Sequence, residues 1–308
     1  MSHNHSHNHL HSHNGHDHSS SKNIAVAFFL NLSFTVIEII GGLITNSVAI
    51  ISDALHDFGD SISLGLAWYF EKVAKKSPNK KFTYGYKRFS LLGALINSTI
   101  LLVGSIIVII ECVKRIAEPQ DVNVKGMIIL AVIGVVINGI AVLRTRKGKG
   151  VNEKVVSLHL LEDVLGWAAV LIVSIVMLFV DLPILDPLLS IGISCFVLYN
   201  VYKNLKVTFK VILQGVPSDL DVIELREKVL KIPNVVDVHD FHIWSLDSEY
   251  NIASMHVVIK DAKDLYSLQV KLKTEIKNLL NEEGIKHTTI EFETEQEECT
   301  HCYNDDLI

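Results

Sequence analysis

The sequence predicts an α-helical membrane protein with six transmembrane helices, followed by a small C-terminal cytoplasmic α+β domain of order αββαβ. Three observations carry that expectation. Hydrophobic residues make up 49% of the 308 and the mean hydropathy is +0.34, too apolar for an ordinary soluble chain and too polar to lie wholly in lipid. Six apolar stretches, at roughly 24–44, 48–70, 89–113, 125–144, 155–180 and 184–213, each reach the ~20 residues needed to span ~30 Å of hydrocarbon. Beyond residue 213 the charge reverses. Residues 1–213 hold 19 Lys and Arg against 14 Asp and Glu, a net +5, whereas 214–308 hold 9 against 20, a net −11.

Taken along the chain, residues 1–21 hold eight histidines among Asn, Ser and Gly, from which no packed core can form, so this tail is expected to be disordered. Within the bilayer each apolar stretch of 22–213 must be helical, because no water is there to satisfy the backbone. The loop after the second span is basic (Lys72, Lys75, Lys76, Lys80, Lys81, Lys87, Arg88), as is the loop after the fourth (Arg144, Arg146, Lys147, Lys149). The first loop is uncharged and the fifth is acidic (Asp181, Asp186). Positive loops face the cytoplasm, which places both termini there. In the domain expected over 214–293, SDLDVIELREKVLK (218–231) opens on a Ser/Asp cap and has helical periodicity. Residues 235–246, 250–260 and 286–293 read as strands, and 263–283 as an amphipathic helix. An acidic tail, 294–308, closes the chain. No Lys/Arg n-region precedes the first apolar stretch, so no cleaved signal peptide is expected.

Ionisable side chains inside a membrane helix cost ~2.5–3.5 kcal/mol each and therefore mark function. The second span contains SDALHDFGD (52–60) and the fifth contains HLLED (159–163). Both hold H-x-x-x-D, about one helical turn, so His56 shares a face with Asp60, and His159 with Asp163. Two imidazoles and two carboxylates form a tetrahedral set suited to Zn²⁺ or a similar divalent ion. The alternative is a network of buried ion pairs, which one such motif would leave equally plausible and two disfavour. Asp53 and Asp57 fall in the same ~100° arc as His56 and Asp60, so spacing alone does not choose between the pairs. Glu38 and Glu162 read equally as proton sites, outer-sphere groups or simple interhelical bonds. Cys112 and Cys195 lie in apolar runs and pack as small hydrophobes. Cys299 and Cys302 form a C-x-x-C of metal or redox spacing. In the soluble domain His239, His242, His256 and His287, with Glu291 and Glu293, crowd metal-ligating groups onto predicted strands.

SVAIISDALHDFGD, YGYKRFSLLGALIN, SLHLLEDVLGW and VHDFHIWSLD together resemble the cation diffusion facilitators, over about residues 22–293. That resemblance implies six spans, a metallochaperone-like cytoplasmic domain, a homodimer, and exchange of metal for protons. The family's zinc-type pattern D-x-x-H-x-x-x-D matches Asp53, His56 and Asp60, and so selects His56 and Asp60 as ligands with His159 and Asp163. It further implies ligand positions at His239, His256 and Glu293, with Glu291 where some members carry His, and it matches Cys299 and Cys302 to a terminal C-x-x-C. Two features depart from the family. The loop KSPNKKFTYGYKR carries no histidine, and RTRKGKG replaces a His-rich loop after span four. The N-terminal histidines are candidates for that second role, since imidazole is mostly neutral and able to bind metal at pH 7.

The resulting expectation is a proton-coupled exporter of Zn²⁺, with Cd²⁺ or Co²⁺ as further substrates, in a bacterial-type inner membrane. Zn²⁺ would be both cargo and regulatory ligand; protons, the lipid bilayer and a second copy are the partners, with no nucleic acid. An enzyme is not expected. An intramembrane metalloprotease needs H-E-x-x-H, which is absent. A sensor merely anchored in the membrane would not charge its second and fifth spans.

Overall fold

The structure is a computed structural model and describes residues 17–145 and 151–297. Six long helices come first: α1 (Asp17–Thr45), α2 (Val48–Ala74), α3 (Phe89–Ala117), α4 (Val124–Thr145), α5 (Val151–Phe179) and α6 (Leu185–Ile212). They are followed by α7 (Val222–Leu230), β1 (Val235–Ser245), β2 (Asn251–Ile259), α8 (Leu265–Glu282) and β3 (Ile285–Thr294), the expected αββαβ order. The chain forms two compact units. One takes the chain up to Lys72 together with Ile96–Tyr202; the other takes Val73–Leu95 and the chain from Lys203 on.

Helix α1 begins at Asp17, so residues 17–21 of the tail expected to lack structure are helical instead. Adding turns to a helix already nucleated by the apolar run behind it costs little, and Ser19–Lys22 contain no Gly or Pro to stop it. By length and composition, Phe89–Ala117, Val124–Leu143, Leu160–Phe179 and Leu185–Ile212 are long and apolar enough to cross a membrane. Helix α1 adds a shorter apolar stretch, Asn31–Thr45. Helix α2 falls short in composition because Asp53, His56, Asp57 and Asp60 interrupt its apolar residues. Large apolar side chains such as Ile107, Ile129, Ile172 and Phe179 point outward, the last 82% exposed. In water such a surface would aggregate; in lipid it is the favourable one.

Between the helices, small residues permit close approach. A Cβ at Gly134 of α4 would fall 2.2 Å from the Trp167 ring of α5, so the indole lies directly on the α4 backbone. Trp167 is buried with Met127, Ala131, Ala49, Ile50 and Val170. The turn from α1 to α2 passes through Asn46 at φ +56°, a left-handed conformation that Asn tolerates. Ser47 then caps α2, its hydroxyl accepting from the Ile50 N–H at 3.2 Å.

In the second unit the sheet order is β1-β2-β3, with β1/β2 antiparallel and β2/β3 parallel. Leu272, Ile276 and Leu280 of α8 and Leu225 and Val229 of α7 cover one face, meeting Val238, Phe241, Ala253, Met255 and Val257. Fully burying each such side chain stabilises by ~1.5–3 kcal/mol. Helix α7 starts three residues later than a Ser218 cap would place it. A turn closed by the Leu220 N–H to the Pro217 carbonyl uses up the intervening residues, and Asp221 caps the helix by accepting from Ile223 and Glu224. Asp264 caps α8, and the hydrogen bonds it accepts from the Ser267 hydroxyl and N–H hold its carboxyl below the usual range. Lys228 donates to Glu224 and Glu283, joining α7 to α8, and both bonds raise its ammonium pKa.

Candidate metal sites

Helix α2 is anchored before it presents any candidate ligand. Asp186, in the first turn of α6, accepts from the Ser47 hydroxyl and from the N–H groups of Val48 (2.7 Å) and Ala49 (3.3 Å). A fully buried carboxylate thus caps a neighbouring helix at its positive end. Ser190 donates to the Val48 carbonyl, and the Ser52 and Ser194 hydroxyls meet at 3.1 Å. On the other side of α2, the Asn31 amide of α1 donates to the Asp57 carbonyl and the Ser61 hydroxyl, both at 3.1 Å. Rotation and height of α2 are therefore set by polar contacts from two helices.

One turn and more into that helix, His56 Nε2 lies 3.7 Å from Asp60 Oδ2 and 3.6 Å from Glu162 Oε1 of α5. His56, Asp53, Glu162 and Asp163 line a cavity of about 430 Å³ whose apolar wall comes from Leu189 to Val197 of α6. Asp163 is buried, and Asp53 packs where a Cβ on Gly166 would sit 3.1 Å from its Oδ1. His159 stands on α5 one turn before Asp163, but its side chain lies outside the described residues. The structure therefore brings His56, Asp60 and Asp163 into one region of α2 and α5. It also places Glu162 beside His56, which the sequence left undecided. Asp53 and Asp57 point deeper, where Glu38 of α1, almost wholly buried, faces Asp53, Asp57, Asp163 and Trp167. Asp53 lines the same cavity as His56, so the pair at 53 and 57 stays close to the pair at 56 and 60 and differs from it in being more fully buried.

The second cluster lies on the sheet face that α7 and α8 leave uncovered. His239 of β1 is paired directly with His256 of β2, their ring centroids 5.3 Å apart. Glu293 of β3 reaches both, with Oε2 at 3.2 Å from His239 Nε2 and Oε1 at 2.6 Å from His256 Nδ1. One ligand atom from each of the three lies within 4.8 Å of the others. Asp237 approaches His239 Nδ1 at 3.5 Å, and Asp240 approaches His256 Nε2 at 3.6 Å. Sequence reasoning missed both. Asp240 is placed by an irregularity in β1, where its φ is +50° and the register slips between His239 and His242. The extra residue keeps Phe241 on the core side and returns His242 to the face that holds His239.

The remaining candidates separate. His242 is 64% exposed and bonds Asp240 at 2.8 Å, outside the group of three. Glu291, opposite His256 in register, reaches its Nε2 at 3.5 Å from an exposed position. His287 lies elsewhere on β3, edge-on to Tyr84 at 5.8 Å. Cys299 and Cys302, and the histidines of residues 1–16, lie outside the described residues.

Long helices with apolar outer faces and acidic and imidazole groups turned inward define a multi-pass membrane protein built to handle a cation. The family described as the cation efflux transmembrane domain matches residues 24–213, and the cytoplasmic domain of cation efflux proteins matches residues 217–295. The chain belongs to this family, the cation diffusion facilitators, and is a transporter rather than an enzyme. It is 33% identical over 278 residues to the cadmium, cobalt and zinc/H(+)-K(+) antiporter of Bacillus subtilis (strain 168), covering 89% of each chain. It is 32% identical over 275 residues to the metal cation efflux system protein CzcD of Cupriavidus metallidurans, covering 88% of this chain and 86% of that one. With the zinc transporter ZitB of Pectobacterium atrosepticum it shares 32% identity over 285 residues, covering 91% and 88%.

Proposed function

We propose that this protein exports Zn²⁺ from the cytoplasm in exchange for protons, as a homodimer with both termini cytoplasmic, and that Cd²⁺ and Co²⁺ are secondary substrates. The observation that carries this reading is the meeting of His56 with carboxylates of its own helix and of α5 at a cavity in the helix bundle. In this reading His56, Asp60, His159 and Asp163 hold the ion. Such ligation requires neutral imidazole and ionised carboxylate, so metal and protons compete for the same atoms. On the cytoplasmic side the metal displaces protons. When the bundle rocks and the site opens outward, a higher proton concentration displaces the metal and resets the carrier. The relatives named for zinc, cadmium and cobalt support this choice of substrates. His239, His256 and Glu293 would bind a second, regulatory Zn²⁺, with Glu291 at its edge. The N-terminal histidines and Cys299–Cys302 would collect metal nearby.

The test is initial metal uptake into proteoliposomes. Uptake should saturate with Zn²⁺ and rise when a pH gradient is imposed in the exchanging direction, and Asp163→Ala should abolish it for every metal. Uptake that neither saturates nor responds to the gradient would indicate a channel.

A further inference from the structure

The basic segment after α2 has no histidine, yet it is built as carefully as a ligand loop. The Asn79 carboxamide oxygen accepts from the N–H groups of Lys81 and Phe82, both at 2.9 Å, and its amide donates to the Tyr86 hydroxyl at 2.6 Å. The Gly85 N–H closes a turn onto the Phe82 carbonyl, with Gly85 at φ +79°, where a side chain would be strained. Phe82, Tyr86 and Phe89 pack ring on ring at centroid distances of 4.8 to 5.4 Å. The cations of this loop are therefore presented by an ordered frame, which lowers the entropy lost on binding.

That frame borders a cavity of about 440 Å³, lined by Lys81, Lys87, Arg88, Tyr84, Gln214 and Trp244 among others, and no lining residue is acidic. Lys87 is committed in part, 3.7 Å from Asp247 and 4.6 Å from the Tyr250 ring centre. Lys81 and Arg88 are exposed and have no acidic partner among the described residues. The cavity also has a definite depth. Phe89 is the first residue of α3, and Gln214 lies two residues past the end of α6, so both walls stand where apolar helices end. In a bilayer that level is the headgroup region, where aromatic side chains such as Tyr84 also settle.

We propose that this cavity binds the phosphate of an anionic phospholipid headgroup. Arg88 supplies the planar fork that matches two phosphate oxygens, Lys81 and Lys87 add point charge, and the Tyr84 hydroxyl and Gln214 amide are donors for the remaining oxygens or the headgroup polyol. Phe89 and Trp244 provide the apolar edge along which a glycerol backbone would lie. The chemistry recognised is a phosphate ester, which a soluble phosphate could share; the level of the cavity favours the lipid.

The experiment uses the full-length protein in detergent, titrated with phosphatidylglycerol, phosphatidylcholine or inorganic phosphate, and reads bound lipid by native mass spectrometry. Phosphatidylglycerol should be retained in preference to phosphatidylcholine. Lys81→Gln with Arg88→Gln should weaken that retention about tenfold or more, in keeping with two lost contacts to an anionic surface. Lys273→Gln with Lys277→Gln on α8, which removes equal charge elsewhere, should leave it unchanged. Equal retention of both lipids, or equal loss in both double variants, overturns the proposal. Displacement of phosphatidylglycerol by inorganic phosphate at comparable concentration overturns the lipid assignment in favour of a soluble anion.

Discussion

At the scale of single residues, the proposed transport site makes His56 the side chain on which metal choice should turn. It contributes nitrogen to a set otherwise rich in oxygen, with Asp60 at 3.7 Å and Glu162 at 3.6 Å. Nitrogen ligands favour Zn²⁺ over hard cations, and a compact tetrahedral set favours it over larger ones. His56→Asp keeps a ligand but changes its hardness and reach. That variant should still transport, with the Zn²⁺ to Mn²⁺ and Zn²⁺ to Cd²⁺ rate ratios falling on the order of tenfold. Initial uptake rates for the three ions in wild type and variant supply the check. An unchanged preference would mean that His56 is no ligand and that Asp53 and Asp57, deeper along the same helix arc, hold the ion instead.

At the scale of elements, α2 depends on a partner 138 residues away in the chain. Its first N–H groups have no acceptor within the helix, and Asp186 of α6 supplies one for both Val48 and Ala49 while taking the Ser47 hydroxyl. Asp186→Ala leaves these donors buried and unmet, a loss of about 1–3 kcal/mol. The variant in detergent should melt several degrees below wild type, and Asp186→Asn, whose amide oxygen still accepts, should fall between the two. Identical melting of all three would show that water or another group caps α2 as well as Asp186 does. The strands make the same point on a smaller scale. Simple alternation sets His256 and Glu293 on the open face, but the slip at Asp240 is what brings His242 and His239 to one side and Asp240 near His256.

For the whole molecule, the question is whether the soluble domain transports or tunes. The His239, His256 and Glu293 cluster sits on a sheet with its own core of fifteen buried side chains, so losing its ligands should not disturb the helix bundle. Replacing His239 and His256 by Ala removes two of the three candidate ligands and should weaken metal binding to that domain by more than about 100-fold, beyond the loss expected from removing a mere orienting partner. Transport should slow and persist, because in the proposed reading the ions crossing the membrane are held by His56, Asp60, His159 and Asp163. The measurements are equilibrium metal binding and proteoliposome uptake on the same preparation. Complete loss of uptake in a folded, membrane-inserted double variant would make this cluster part of the transport path.

The sequence by itself determined the helical membrane class, the αββαβ order of the C-terminal domain, and the two H-x-x-x-D motifs. Each is a local property: hydropathy over twenty residues, a period of 3.6 or 2, a spacing of one helical turn. The sheet face carrying His239, His256 and Glu293 was legible for the same reason, since alternation within a strand sets which side each residue takes. Only the tertiary structure decided that Glu162 stands beside His56, that Glu38 faces Asp53 and Asp57, that Asp186 caps α2, and that Asp237 and Asp240 join the histidine pair while His287 does not. Those outcomes depend on how helices rotate against one another and where a strand slips by one residue. Rotation and register are settled by the packing of many distant side chains at once, and no window along the chain contains them.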